Sequence, residues 1–586
     1  MLDVHQKEAA ETHEARVLCL ASPGSGKTRT LIARIQYMVE EMKISPSRIV
    51  CISFTRHSAG EMKNRLPDSC RGVNISTLHA FALRLLMEMG TEIGYESSWL
   101  SVVSDDDVML DEREVLSDLG IISKKTNGKW NWKKCRMKDW KAFRDGICNG
   151  SIDKPDELNP LLWKAWSALL SRLQTQNVLT YGTLLYEALR LLKDRKALRY
   201  YRRKYHHFLL DESQDSSHSQ WSVIFRFIEA AEPKTFWCAG DADQAIYQWN
   251  GSAPSLLIDF SKKKSTTTYK LETCYRFGGE IAAACNNLIH HNIERLDKDI
   301  IPAPGLTGKV LYHQDLTMDN VAAIVKRHID DGSVPGDIAI LCRQHKPLRE
   351  LQPILTASGI DNVKLGKLNA LRGTAEFRAV MGYIRLSVNM RDRSAFMAIT
   401  GAEGISEHRI IEVRNAALGG GTLAEAYRTR DEWPKTIPEI RHHLDLVDLH
   451  GDYNEALDYL LAFQMREGCA TMQELLMRIG LSSMQDELKE NPNKVTLGTI
   501  HSFKGLERPI IIVIAMNEGI FPSRRSENEG RLEEERCVGF VAISRAQQVC
   551  HLVHNIDPED LVQRTPSRFM AEAISTSPTG PPTRQD

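Results

Sequence analysis

Short, uninterrupted apolar runs recur along this chain, each followed by a stretch in which apolar residues return every three or four positions. Val17, Leu18, Cys19 and Leu20 run into a glycine-rich turn and then into the amphipathic "RTLIARIQYMVEEM". "FLL" at 208–210 and "FWCAG" at 236–240 break into polar loops, and "DIAILCR" (337–343) and "PIIIVIAM" (509–516) repeat the pattern in the second half. Such runs read as strands buried on both faces. Their alternation with helical segments predicts parallel βαβ units and an α/β fold. Two stretches depart from this, 89–195 and 376–491, which carry helical periodicity and no strong strand signal. The tail "STSPTGPPTRQD" (575–586) reads as disordered.

Composition narrows the class without choosing a partner. At 586 residues the chain holds several cores' worth of sequence. Its 75 Lys+Arg against 76 Asp+Glu leave a net charge of −1, so a polyanion has to be met by local patches. The 12 cysteines show no Cys-x-x-Cys pair and no ligand spacing, which argues against disulfides and structural zinc and for reduced intracellular thiols. The polar start "MLDVHQKEAAETHEA" is unlike a signal peptide, and no apolar run is long enough to span a bilayer. No membrane association and a cytoplasmic location are the expectations.

Chemistry concentrates where strands end. "ASPGSGKT" (21–28) offers a phosphate cradle: Ala21, Ser22, Pro23, Gly24, Ser25 and Gly26 form the turn, and Lys27, Thr28 and Arg29 open a helix whose dipole favours an anion. Lys27 would meet the β- and γ-phosphates of ATP, and the Thr28 hydroxyl would ligate Mg2+. "FLLDESQD" places Asp211 for the same magnesium and Glu212 as general base for the attacking water. "FWCAGDADQAIYQWNG" (236–251) brings Gln244, Tyr247 and Trp249 into one polar loop. Two readings of its rings stand open, stacking on bases or burial in a core.

The order of these motifs resembles that of the UvrD/Rep/PcrA helicases of superfamily 1, over nearly the whole chain. "LDVHQKEAA", "ASPGSGKT", "CISFTRHSAGEMKNRL" (51–66), "ISTLHAFALRLL" (75–86), "LLDESQD" and "AGDADQAIYQWNG" follow the family's first motifs. "LETCYRF" (271–277), "VTLGTIHSFKGLE" (495–507) and "RLEEERCVGFVAISRAQQ" (531–548) follow its later ones. The resemblance implies adenine reading by Gln6, stacking of Tyr275 on adenine, ribose contact by Glu507 and γ-phosphate sensing by Gln244. It also implies arginine fingers at Arg276 and Arg545, reaching across the cleft on closure, and a single-strand track lined by Phe54, Thr55, His79, Tyr247 and Trp249. Cys274, Phe277, Asn250 and Phe503 depart from the family pattern without removing a catalytic group.

The same resemblance implies two RecA-like motor domains, 1–88 with 196–278 and 279–375 with 492–586, each interrupted by a mainly helical insertion at 89–195 and 376–491. Gly404 in "ITGAEGISEHRIIEV" (399–413) is expected to turn a duplex-contacting hairpin. "KKTNGKWNWKKCRMKDWKAFRD" (124–145) interleaves cations with Trp130, Trp132 and Trp140 and reads as a DNA contact, whereas "KDRKALRYYRRK" (193–204) reads as a solvated helix face. No nuclease domain is expected after the last motif. The implied activity is that of an ATP- and Mg2+-dependent helicase moving 3′ to 5′ on single-stranded DNA and acting at duplex junctions. The alternative is a DNA-triggered sensor ATPase that works through a repair, replication or defence partner, as in UvrD-like defence systems. Under either reading the expected location is the cytoplasm, nucleoid-associated or in a phage host, with the oligomeric state open.

Overall fold

Side chains of consecutive strand residues point to opposite faces of a sheet, and in this protein both faces are covered. Val17, Cys19 and Ala21 of the strand Arg16–Ala21 pack with Leu31, Ile35 and Met38 from the helix Lys27–Glu40. Leu18 and Leu20 pack on the other side with Phe81, Leu85 and Phe227 from the helices Leu78–Met89 and His218–Ile228. That double burial is why these strands are apolar at every position. The computed structural model describes residues 2–124, 130–152, 155–229, 234–365, 371, 374–389, 391–402, 436–446, 453–480, 492–556 and 565–574.

The first sheet has six strands, all parallel, ordered 267–271, 16–21, 235–240, 207–210, 49–53, 74–77. A second sheet, also six-stranded and parallel, is ordered 309–316, 546–555, 508–513, 338–342, 495–499, 362–364. Its strands repeat the alternation, with Leu341, Ile511 and Val513 in one apolar layer and Ile340, Ile510 and Ile512 in the other. Two helix-flanked parallel sheets make this an α/β protein of the RecA-like kind. No described helix is long and apolar enough to cross a membrane.

The stretch 89–195 is mainly helical, as expected, and only the reading that it carries no strong strand signal is corrected. It holds two small sheets: Ser101–Val103 pairs in parallel with Val178–Thr180, and Ile122–Lys124 pairs antiparallel with Trp130–Trp132. Strands of three residues are too short to print a period-two pattern. The tryptophans there are also corrected. Trp140 is 1 % exposed and donates its indole N–H to Glu112, while Trp130 and Trp132 pack at the margin of the same core. These rings hold the insertion together instead of forming a stacking patch; residues 125–129 of that basic run lie outside the described residues. So do Gly404 with the expected hairpin and the tail 575–586. Among the described residues, 376–491 contributes helices alone, and they lean on the first insertion through Arg385 with Asp107 (3.0 Å), Asn389 with the Gln176 carbonyl (2.8 Å) and Arg393 with Glu114.

Candidate nucleotide and DNA site

In a parallel sheet the carboxyl ends of neighbouring strands share one edge, and loops leaving that edge are brought together. Here the edge gathers the loops after Ala21, Gly240, Leu210 and Leu271, since their strands are adjacent. Gly24 and Gly26 in the first loop hold φ of +69° and +79°. A Cβ on Gly24 would stand 2.6 Å from that of Arg276, and one on Gly26 2.7 Å from the Gln6 amide, so both positions require glycine. Ala21 ends the strand in ordinary backbone geometry, which is why alanine serves there. The helix Lys27–Glu40 begins at Gly26 with no side-chain cap, whereas Thr55, Thr77 and Ser217 cap the neighbouring helices. Its first N–H groups are left to an anion. Thr28 is half-buried in that first turn, and Arg29 is exposed.

Asp211 and Glu212 are adjacent in sequence but occupy different environments, because Glu212 turns into the left-handed region at φ +48°. Asp211 is buried, and its Oδ1 has no hydrogen-bond partner among the described residues. Burial, then the charge of Glu212, pushes its carboxyl above the usual range. An orphaned, anion-crowded oxygen of this kind fits a divalent cation. Burial also works against ionisation of Glu212, but the ammonium groups of Lys27, at 3.4 Å, and of Lys504, with the Gln214 amide at 2.5 Å, outweigh it and hold the carboxylate low.

A bonded path crosses from the first sheet to the second. Arg545 donates to Gln244 Oε1 at 3.1 Å, and the Gln244 amide donates to Asp241 at 2.6 Å. Asp241 pairs with the buried Lys298 at 2.8 Å. Lys504 donates to the Gln244 carbonyl at 2.6 Å and pairs with Asp215. Burial, with Arg276 nearby, pushes the Arg545 guanidinium down to about 9. Arg276 pairs with Glu507 and donates to the Ser544 carbonyl at 3.1 Å. Both arginines therefore already reach across, and no further closure is needed for Arg545 to touch the first sheet's loop. Glu507 also accepts from Gln547 at 3.0 Å. Tyr275, 46 % exposed, donates to Asp3 at 2.6 Å. Gln6 is buried, and its amide is bonded to the Ser25 carbonyl (2.9 Å) and the Asp3 N–H (3.1 Å).

The expected track residues fall into two groups. Phe54 stacks on Tyr247 with centroids 5.3 Å apart; Trp249 stands 6.3 Å from Tyr247, and His501 stands 6.2 Å from each. Tyr247 is half-buried, its hydroxyl donating to the His501 carbonyl at 2.9 Å. Trp249 is 61 % exposed, so the core reading fails for this ring. The Thr55 hydroxyl caps its helix by accepting from Ser58 N at 3.0 Å. His79 stacks at 3.9 Å on Tyr181 of the first insertion, and burial lowers its pKa to about 4.

Sequence reasoning missed Lys504, Asp241, Lys298, His501 and Tyr181. Lys504 and Asp241 lie inside the quoted motifs, where a cation or carboxylate in a post-strand loop was the available signal; Lys298 and Tyr181 carried none. The departures Cys274, Phe277 and Phe503 are all buried in one apolar core, so they alter packing behind the site, while Asn250 is exposed.

Residues 2–265 match the UvrD/REP helicase N-terminal domain, and 269–416 with 444–554 match the UvrD-like helicase C-terminal domain. The chain is similar to the ATP-dependent DNA helicase PcrA of Staphylococcus aureus, at 26 % identity over 97 % of this chain and 86 % of the relative. It is 27 % identical to PcrA of Leuconostoc citreum, over 97 % of this chain and 84 % of the relative. The DNA helicase II of Rickettsia typhi is 28 % identical, over 97 % and 95 %.

Proposed function

The chain belongs to the UvrD/REP-like superfamily 1 helicases, and on that premise we propose that it is an ATP-dependent DNA helicase that translocates 3′ to 5′ on single strands and opens duplex junctions. Residues 1–88 with 196–278 act as one motor and 279–375 with 492–586 as the other, with 89–195 and 376–491 as insertions. ATP phosphates sit on the uncapped helix start with Lys27 on the β- and γ-groups. Thr28 and Asp211 would hold magnesium, which would offset phosphate charge when bound. Glu212, kept ionised by Lys27 and Lys504, takes a proton from the attacking water. Arg545 and Arg276 stabilise charge on the transferring group. Tyr275 stacks on adenine, Gln6 reads its edge after exchanging its present partners, and Glu507 meets the ribose.

The observation that carries this reading is the loop 241–250. Gln244 at its start is bonded to Arg545 and Lys504, and Tyr247 and Trp249 at its end present rings beside Phe54 and His501. A change at the γ-phosphate thus reaches the rings through one short backbone segment. ATP favours the form in which Arg545 holds Gln244 because it binds that form better, and its loss loosens the rings' hold on bases. Strand displacement on 3′-tailed and 5′-tailed duplexes tests the proposal. ATP-dependent opening of the 3′-tailed substrate is expected. DNA-stimulated hydrolysis with neither displacement nor translocation would instead favour the sensor ATPase.

A further inference from the structure

The helix Arg195–Lys204, "RKALRYYRRK", turns Ala197 and Tyr201 inward, with the Tyr201 hydroxyl on the Leu85 carbonyl at 2.8 Å. Several of its cations are tied down: Lys196 to Glu92, Lys204 to Glu88, and Arg202 to the carbonyls of Arg226 and Glu229. Arg195, Arg199 and Arg203 are exposed and make no side-chain hydrogen bond or ion pair among the described residues. They stand one per turn, roughly 6 Å apart along the axis, as a ridge.

Nothing among the described residues rewards that ridge. Like charges spaced i, i+4 repel, and Arg195 sits in the first turn, where a cation opposes the helix dipole. A ligand with negative charge repeated along its length relieves both. Arginine forks match phosphate oxygens two at a time, and the even spacing, without an apolar anchor beyond the half-exposed Tyr200 ring, suits a phosphate backbone better than a folded protein face. The ridge is tied through Glu88 to the helix Leu78–Met89, whose other end carries His79. That helix spans roughly 18 Å. We propose that Arg195, Arg199 and Arg203 form a second DNA-binding face, which grips the phosphate backbone of DNA beyond the single-strand track. This rests on the helicase reading.

The test compares wild type with R195A/R199A/R203A and R195K/R199K/R203K. Affinity is measured against salt on three probes: an oligonucleotide just long enough to saturate ATPase stimulation, a long single strand and a 3′-tailed duplex. Each lost phosphate contact should flatten the log–log salt slope by about 0.9 on duplex and about 0.7 on a single strand. The alanine variant is expected to lose about 2–3 in slope on the tailed duplex. An equivalent loss on the long single strand would identify that strand as the occupant, and a loss confined to the tailed duplex would identify the duplex arm. Short-oligonucleotide binding and stimulated ATPase should stay at wild-type level, and the lysine variant should keep the slope. Unchanged slopes on both long probes would overturn the proposal, as would equal losses on the short oligonucleotide or a lysine variant that fails like the alanine one. A wild type that hydrolyses ATP yet binds no probe would overturn the helicase reading first.

Discussion

Gln244 and Trp249 share one loop but are held by opposite physics. Every polar group of the Gln244 side chain has a partner, Arg545 on its oxygen and Asp241 on its nitrogen, and Lys504 takes its carbonyl. A buried amide must be satisfied in this way, because each lost partner costs about 1–3 kcal/mol, so its orientation is fixed. Trp249 is 61 % exposed with His501 and Tyr247 as ring neighbours. A large ring left in water is free to take a flat ligand. One end of the loop is therefore set by internal bonds and the other is left exposed, the arrangement that the proposed relay between ATP and DNA would require.

If that contrast is right, substitutions at the two ends separate cleanly. Lys27→Ala removes the cation from the phosphate cradle and should abolish ATP turnover while single-strand affinity without nucleotide stays near wild type; rapid turnover would refute the cradle. Arg545→Ala should lower turnover by roughly 10³–10⁵, with ATP affinity changing far less, read by single-turnover hydrolysis beside equilibrium binding. A collapse of ATP affinity with normal turnover of bound ATP would remove it from the finger role. Glu212→Gln should slow hydrolysis by about 10²–10⁴ and keep nucleotide bound. At the other end, Trp249→Ala should weaken single-strand binding by about 1–3 kcal/mol and spare basal ATPase. Its melting temperature should barely move, since exposed substitutions rarely exceed about 0.5 kcal/mol. A large melting shift with unchanged DNA affinity would erase the contrast.

Much of the geometry at the proposed nucleotide end was legible in the sequence because its signals are local. Gly24 and Gly26 announce a turn that needs positive φ, and Asp211-Glu212 close an apolar run, which marks a strand end. The aromatic end was only half legible. Trp140 and Trp249 both sit among polar neighbours, yet one is 1 % exposed and the other 61 %. The difference lies in the amphipathic helix Met137–Asn149, which turns Trp140 onto the core of the first insertion.

The sequence by itself determined the strands buried on both faces, the glycine turn and the carboxylates that follow strand ends. Each depends on residues near one another in the chain: side-chain alternation, backbone freedom and the loss of apolar character. Only the tertiary structure decided that Arg545 meets Gln244, that Lys504 meets Asp215 and that His79 lies under Tyr181. The first two follow from the docking of one sheet's loops on the other and the third from the packing of the first insertion, and partners about one hundred to three hundred positions apart leave no periodic trace. The split of Asp211 from Glu212 was likewise decided in space, by burial and the Glu212 charge at Asp211 and by Lys27, Lys504 and the Gln214 amide at Glu212.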